Sequence, residues 1–295
     1  MSAPSQTPPP CPLTPEQTAA FLADLLREDG IDPATGLGDA TTEAVVPADA
    51  RAEAAAVARE AMVAAGVDLA LGVFRALDGD LWATAHVADG ERVEPGTALF
   101  TVRGAARPIL VGERTALNLL QHLSGIATLT RRYADAIAGT GAILLDTRKT
   151  IPGLRRLAKY ATACGGAQNH RRDLASGIMI KDNHLVAAGG VAAALNRLPR
   201  EVQLPIELEC DTLTQVEAGL AAGVNRLLLD NMDLNTLSAA VELAAGRAEL
   251  EASGGVTLNS IRKIAETGVD FISVGRLTQS APAIDIGLDF TPVNR

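Results

Sequence analysis

A repeated pattern of strand and helix dominates the chain from about residue 142 onward. Each unit has a short apolar run, a polar residue at its end, and then a helical stretch that closes on glycine. The six runs cover residues 142–146, 177–181, 205–209, 226–230, 249–253 and 270–275. Their ends lie 21 to 35 residues apart, which is enough for one strand and one helix each. Apolar strands alternating with helices predict a parallel sheet buried on both faces, and six units favour an incomplete α/β barrel.

The first 110 residues have a different pattern. We expect a helix over residues 14–27 and short strands near residues 43–46, 54–59, 81–87 and 98–102, separated by turns such as Asp78-Gly-Asp80. This predicts a separate α+β domain. A long helical pattern over residues 113–138 then joins the two domains, with Ser124-Gly125 as a candidate interruption.

Composition limits the classes of protein. With 295 residues, of which 47% are hydrophobic, the chain can bury a substantial core, which excludes a disordered or fibrous protein. The net charge of -9 argues against a main task of coating nucleic acid or anionic lipid. Aromatic residues make up only 3% of the chain, so base stacking is not expected to dominate binding.

The cysteines and the first residues indicate the compartment. Cys11, Cys164 and Cys210 are odd in number and form no CxxC pair, which favours a reducing environment over a disulfide framework or a cysteine-rich zinc site. Residues 1–15 are rich in proline and have neither a basic segment nor a continuous apolar segment. We therefore expect a disordered tail rather than a signal peptide, and a soluble, cytoplasmic protein without a membrane span.

Polar residues at the strand ends are the candidates for chemistry, because the carboxyl ends of parallel barrel strands meet at one mouth. Residues 146–184 carry eight Lys or Arg against three Asp or Glu, a local charge of +5 in an acidic chain. Arg148, Lys149, Arg171 and Lys181 lie at or next to strand ends. Guanidinium groups suit carboxylates and lysine suits phosphate, so we expect a ligand with more than one anionic group.

Small residues end the last two strands. Ser253-Gly254-Gly255 lies between a strand and a helix, where main-chain N–H groups can approach an anion, and Gly275 ends the next strand. This placement predicts a phosphate site, with a structural turn as the alternative. Glu209 and Asp230 could bind sugar hydroxyls or Mg²⁺, or pair with the nearby cations. His170 and His184 are candidates for binding, proton transfer or a structural role.

Together these segments resemble quinolinate phosphoribosyltransferase. The motifs are Glu113-Arg-Thr-Ala-Leu-Asn118, Leu123-Ser-Gly-Ile-Ala-Thr128, Asp146-Thr-Arg-Lys-Thr150, Asn169-His-Arg171, Ile180-Lys-Asp-Asn-His184, Leu229-Asp-Asn231 and Ala252-Ser-Gly-Gly255. Gly38-Asp39 and Leu277-Thr-Gln-Ser-Ala-Pro282 agree as well, and the resemblance runs from about residue 25 to residue 290. The combination is highly specific.

The resemblance implies a fold and a reaction. It implies an N-terminal α/β sandwich domain over residues 16–125, an incomplete seven-stranded α/β barrel over residues 126–280, and a final segment, residues 281–295, that returns to the first domain. The reaction would join quinolinate to 5-phosphoribosyl-1-diphosphate with Mg²⁺, and yield nicotinate mononucleotide, diphosphate and CO2 in NAD biosynthesis. The enzyme would be a homodimer with shared active sites, with a hexamer as an alternative assembly.

The resemblance also implies residue roles. Arg114 would reach into the partner's site, while Arg148, His170 and Arg171, with Thr147 beside them, would hold quinolinate. Lys149 and Lys181 would bind anionic groups, Glu209 and Asp230 the ribose and metal region, and Ser253, Gly254, Gly255 and Gly275 the 5-phosphate. Lys149, Lys181, Glu209 and Asp230 would be the catalytic residues.

Four positions depart from the family pattern, and three alternative functions follow from the residues. Asp173, Ser176 and Gln279 replace residues common in the family, and Arg276 is bulkier than the small residue expected beside the phosphate glycine. The nearest alternative is a family member that acts on another pyridine carboxylate. A Schiff-base aldolase or isomerase using Lys181 and a non-enzymatic phosphate-ligand sensor are the others.

Overall fold

The computed structural model describes residues 9–199, 201 and 203–293. In chain order the elements up to residue 136 are α1 (Pro15–Glu28), α2 (Ala40–Val45), β1 (Arg51–Ala58), β2 (Met62–Val63), α3 (Val67–Leu77), β3 (Trp82–Ala85), β4 (Arg92–Val93), β5 (Ala98–Ala105) and α4 (Ala106–Ala136). The later elements are β6 (Ile143–Leu145), α5 (Arg155–Cys164), β7 (Ile178–Ile180), α6 (Asp182–Ala188), α7 (Val191–Asn196), β8 (Ile206–Cys210), α8 (Leu213–Ala221), β9 (Arg226–Asp230), α9 (Leu234–Ala244), β10 (Glu249–Ser253), α10 (Ile261–Ala265), β11 (Phe271–Ser273), α11 (Arg276–Gln279) and β12 (Ile286–Pro292).

The chain divides into two compact units. The first holds the described residues up to Thr130, Arg156–Gly166 and those from Ala281 onward, and the second holds Arg131–Arg155 and Ala167–Ser280. The predicted domain boundary between residues 125 and 126 falls inside the continuous helix α4. Of the predicted tail, residues 1–8 lie outside the described residues, and Pro15 is already the first residue of α1.

The first unit is built on a four-stranded antiparallel sheet in the order β12-β1-β5-β3. Alternate residues of β1 are buried, as its alternating sequence requires of a sheet with one face on the core. Helix α3 packs on this sheet, and the rings of Phe74 on α3 and Phe100 on β5 meet edge to face at 5.9 Å. Both rings are fully buried, so they mark the centre of this core.

Two local predictions for the first unit are wrong. Residues 43–46 are not a strand, since α2 covers most of them; the Asp39 carboxylate accepts bonds from the main-chain N–H of Thr41 and Thr42 and starts a helix there. Ser124-Gly125 does not interrupt α4. Instead Ser124 Oγ accepts a bond from the main chain of Ala65, and a Cβ at Gly125 would lie 2.1 Å from the Pro282 carbonyl oxygen, so this pair permits close packing.

The second unit is a parallel sheet of six strands among the described residues, in the order β6-β11-β10-β9-β8-β7. A single parallel bridge between Leu145 and Gln168 adds a seventh position beside β6. The prediction of a mixed α/β protein with a parallel sheet and a separate N-terminal sheet domain is confirmed. Closure of the parallel sheet into a barrel stays a prediction.

The two faces of this sheet differ in polarity. One face is apolar: Leu208 and Leu227 pack against α8, where a Cβ at Gly219 would lie 2.8 Å from a Leu227 methyl group. The opposite face carries charge, because Glu207 and Glu249 both pair in register with Arg226. The prediction of apolar strands therefore fails on this second face.

Candidate active site

The carboxyl ends of the parallel strands open on a cavity of about 620 Å³ in the second unit. Its walls include all but one of the residues to which the resemblance assigns a role: Thr147, Arg148, Lys149, His170, Arg171, Lys181, Glu209, Asp230, Ser253, Gly254, Gly255 and Gly275. Arg114 is the exception; it lies on α4 in the first unit, where its side chain is exposed.

Asp146, which directly follows β6, holds the loop that carries His170. Its side chain is fully buried, and it accepts hydrogen bonds from Asn169 Nδ2 and from the main-chain N–H of His170, both at 2.8 Å. A buried carboxylate with two such donors fixes the geometry of the chain that supplies them. These bonds explain how Asn169-His170-Arg171 reaches the cavity although no named strand carries it.

Arg148 and Arg171 give one wall of the cavity its positive charge. Burial lowers the pKa of Arg171, and the nearby charge of Arg148 lowers it further. Arg171 donates a bond to the Gly177 carbonyl, whereas Nε of Arg148 is buried and has no acceptor among the described residues. An anionic ligand would relieve the repulsion and satisfy this donor, which suits a carboxylate.

Acidic side chains form another part of the cavity wall. Lys181 Nζ lies 2.6 Å from Oε2 of the buried Glu209. Burial raises the pKa of Asp230, and the negative charges of Glu209 and Asp211 raise it further. The ion pair thus places Lys181 beside a carboxylate at the cavity wall.

Glycines let the main chain form the last part of the wall. Gly254 has a φ of 92°, and a Cβ there would lie 2.2 Å from Asn231 Oδ1. At Gly275 a Cβ would lie 2.8 Å from Lys149 Cδ, while the main-chain carbonyl of Lys149 accepts a 2.6 Å bond from Thr278 Oγ1. At both glycines a side chain would collide with a neighbouring residue, Asn231 or Lys149. Without side chains the main chain can lie close to a ligand, as a phosphate site requires.

Beside His170 lies an ionic cluster that the sequence analysis missed. His170 Nε2 is 3.1 Å from Glu207 and 3.5 Å from Glu251, and the Arg226 guanidinium bridges the same two carboxylates at 3.2 and 2.6 Å. Arg226 also lies 4.1 Å from the ring centre of Phe271. Burial alone would lower the pKa of His170, but the hydrogen bonds with Glu207 and Glu251 and the negative charges of both acids together outweigh burial and raise the pKa.

A period of two in the strand sequences was the available signal for this cluster. In Ile206-Glu-Leu-Glu-Cys210 and Glu249-Leu-Glu-Ala-Ser253 every second residue is acidic or polar. Such alternation places the acidic side chains on one face of the strand. A prediction based on the carboxyl ends of the strands misses Glu207, Arg226 and Glu251, because these residues do not lie at those ends.

Two acidic sets could be considered for a metal ion. Glu209 and Asp230 offer oxygen ligands at the cavity wall, and one or two carboxylates together with substrate phosphates are how proteins usually hold Mg²⁺. Atoms of His170, Glu207 and Glu251 also lie within 4.8 Å of one another. The Arg226 guanidinium already contacts both carboxylates of this second set and so supplies part of the positive charge that a metal ion would bring.

The remaining candidates are placed as follows. His184 does not line this cavity, and its Nδ1 accepts a bond from the main-chain N–H of Lys181, a local structural role. Arg276 and Gln279 do line it. Asp173 and Ser176 close an exposed turn, in which the Asp173 main-chain N–H donates to Ser176 Oγ.

Comparison with known proteins gives consistent results over most of the chain. Residues 126–289 match the family described as quinolinate phosphoribosyl transferase, C-terminal domain, and residues 39–124 match its N-terminal domain. A carboxylating nicotinate-nucleotide pyrophosphorylase of Mycobacterium leprae is 46% identical over 85% of this chain and 90% of its own. The chloroplastic enzyme of that name from Oryza sativa is 41% identical over 98% of this chain and 82% of its own.

A solved structure shows the same fold. The nicotinate-nucleotide pyrophosphorylase of Francisella tularensis has a TM-score of 0.88 and 37% sequence identity, over 95% of this chain and 99% of its own. In the described part of this chain, no helix combines the length and the apolar character needed to cross a membrane. By matched domains, identity and fold, the chain belongs to the quinolinate phosphoribosyltransferase family.

Proposed function

We propose that this protein transfers the phosphoribosyl group of 5-phosphoribosyl-1-diphosphate to quinolinate and releases CO2, which makes it a decarboxylating pentosyltransferase of NAD biosynthesis. The observation that carries the proposal is one cavity that combines a guanidinium wall, two lysines, two carboxylates and a glycine-lined corner. These groups match a dicarboxylate, a diphosphate, a ribose and a terminal phosphate. The chain's membership of the family supplies the reaction.

The cations divide between the two substrates. Arg148, Arg171 and His170 would hold the quinolinate carboxylates, because planar guanidinium groups bind carboxylates in a bidentate manner. Lys149 and Lys181 would stabilise the charge that collects on the departing diphosphate. These fixed charges act most strongly in a cavity with little water.

The acidic residues serve the ribose. Glu209 and Asp230 would bind its hydroxyls, stabilise the positive charge that develops at C1, and hold Mg²⁺ together with the substrate's phosphates. Their oxygen ligands fit this ion, and the raised pKa of Asp230 marks a place where added positive charge is favourable. When bound, Mg²⁺ would neutralise charge on the diphosphate.

The chemistry needs no covalent intermediate on the enzyme. The pyridine nitrogen attacks C1 of the ribose, and the C1–oxygen bond breaks as its electron pair leaves with diphosphate. The bond between the adjacent ring carbon and its carboxylate then breaks as CO2 departs, and its electron pair stays on that carbon, where the positively charged nitrogen stabilises it. A proton from solvent then fills the vacated ring carbon. The protein's task is therefore alignment and electrostatic stabilisation.

The assembly and the compartment are part of the same proposal. A homodimer with shared sites, in which Arg114 of one subunit completes the cavity of the other, is what the family resemblance implies, with a hexamer as the alternative. The exposure of Arg114 on α4 supports this role. A cytoplasmic location is supported by the cysteine pattern.

Release of labelled CO2 from carboxyl-labelled quinolinate tests the proposed reaction. We expect release only when quinolinate, 5-phosphoribosyl-1-diphosphate and Mg²⁺ are all present. Competition by other pyridine carboxylic acids measures substrate choice. The same assay on a variant of Gln279, which lines the cavity, measures the effect of this residue on that choice. No product from the complete mixture would contradict the proposal. Borohydride trapping of a substrate on Lys181 would favour the aldolase alternative instead.

A further inference from the structure

The imidazole of His170 has both nitrogens engaged within the second unit. Nε2 faces the carboxylates of Glu207 and Glu251, and Nδ1 accepts a 2.6 Å bond from the main-chain N–H of Arg171. The two contacts fix the orientation of the ring, because a flipped imidazole would turn carbon atoms toward the acids and toward the Arg171 N–H.

Besides the imidazole, the cluster holds two carboxylates and one guanidinium. The Arg226 guanidinium contacts both carboxylates, and one guanidinium compensates one of the two negative charges. Glu251 is the more deeply placed acid, with a fully buried side chain. Burial alone would raise the pKa of Glu251, but hydrogen bonds from His170, Ser273 and Arg226 and the nearby positive charge together outweigh burial and lower the pKa to about 2, so the acid is ionised and accepts hydrogen bonds.

We propose that Glu251 is a positioning residue, which with Glu207 holds Nε2 of His170 and so orients the imidazole and the adjacent Arg171 at the cavity wall. The role in catalysis rests on the proposed function, in which His170 and Arg171 bind the quinolinate carboxylates. An uncharged amide in place of Glu251 holds Nε2 less firmly. The ring can then turn, and the Arg171 main-chain N–H loses its fixed partner.

The same strand provides a matched control. Glu249 lies two residues before Glu251 on β10, and one of its oxygens is 4.0 Å from Arg226. Its side chain is 58% exposed and makes none of the His170 contacts. Glu249→Gln removes the same charge from the same face of the strand while sparing His170.

Kinetics of the two glutamine variants test the proposal. For Glu251→Gln we expect the KM for quinolinate to rise about tenfold, with kcat and the KM for 5-phosphoribosyl-1-diphosphate within about twofold of the unmodified enzyme. Glu249→Gln should keep all three constants. Equal effects in the two variants, or a fall in kcat with an unchanged KM for quinolinate, would overturn the assignment.

Nuclear magnetic resonance of protein with ¹⁵N-labelled histidine gives a readout that does not depend on activity. Replacement of His170 by Gln assigns its signals among the four histidines. We expect Nε2 of His170 to be protonated at pH 7 in the unmodified protein, and the pKa of His170 to be lower in Glu251→Gln than in Glu249→Gln. An unprotonated Nε2 in the unmodified protein sinks the inference even where Glu251→Gln does not fold. A protonated Nε2 in a protein that does not turn over quinolinate refutes the proposed function alone.

Discussion

Gly275 shows how a single missing side chain serves the cavity. Its backbone angles, φ -65° and ψ -30°, are open to any residue, so the need for glycine lies in space and not in conformation. A Cβ would meet Lys149 Cδ at 2.8 Å, and the lysine would have to give way. The position therefore sets where an anion-binding lysine can lie.

Gly275→Ala is expected to raise the KM for 5-phosphoribosyl-1-diphosphate about fivefold to tenfold, which corresponds to about 1 kcal/mol of binding, because Lys149 is displaced. Thermal stability should change little, since alanine fits these backbone angles. Steady-state kinetics and a melting curve measure the two effects.

Gly141→Ala is the control for this change, since a Cβ there meets nothing within 4 Å and its φ is not in the left-handed region. An unchanged KM in Gly275→Ala would remove the lysine-placing role from Gly275.

The cavity walls were largely predictable from residue type and position. Cations and small residues directly after strands have few structural uses, and Lys149, Lys181 and Gly254 indeed line one cavity. Glu207 and Glu251 could not be identified in the same way. They lie inside strands, and their significance depends on which strands become neighbours, which the order of the sequence does not state.

The short helix α2 depends on Asp39, whose carboxylate caps its first turn. Apolar residues near 43–46 favour a strand on composition, yet Asp39 accepts bonds from two main-chain N–H groups and from Thr42 Oγ1. A cap acts through geometry that side-chain polarity alone does not reveal. The strands were predictable from runs of strand-forming residues, whereas α2 depends on the hydrogen bonds of a single side chain.

Asp39→Ala is expected to lower the free energy of unfolding by about 1 kcal/mol at pH 7, as measured by urea denaturation. The hydrogen bonds from Thr42 and Thr41 lower the pKa of Asp39 in the folded state. Its contribution is therefore present above the unfolded pKa, near 4, and is lost as the pH falls through the folded value.

Asp39→Asn separates the cap from the charge. Asparagine caps about as well as aspartate, so this variant should match the unmodified protein at pH 7 and lack the acid-dependent loss. A stability of Asp39→Ala equal to that of Asp39→Asn at pH 7 would show that the cap contributes nothing.

The whole molecule combines a sheet unit that carries Arg114 with a parallel unit that carries the cavity. If Arg114 acts in the partner's cavity, a defect in each unit can be repaired by mixing. Arg114→Ala and Lys181→Ala subunits, each expected to lose most turnover alone, should recover about a quarter of normal activity when mixed in equal amounts. Half of randomly formed dimers are then mixed, and each has one intact site.

Lys149→Ala mixed with Lys181→Ala is the control for this experiment, because both changes damage the cavity of their own subunit and no intact site can form. Co-expression with two affinity tags isolates the mixed dimers. Recovery no greater with Arg114→Ala than in this control would place Arg114 outside the partner's site.

The pairing of β12 with β1 affects how the protein is made. Strand β1 is translated early, while residues 286–292 follow all the strands of the second unit. During synthesis on the ribosome, the β1 edge of the first sheet thus stays unpaired until β12 has emerged. Unpaired sheet edges can pair with other chains, so molecular chaperones that shield nascent polypeptides would act on β1 during this interval.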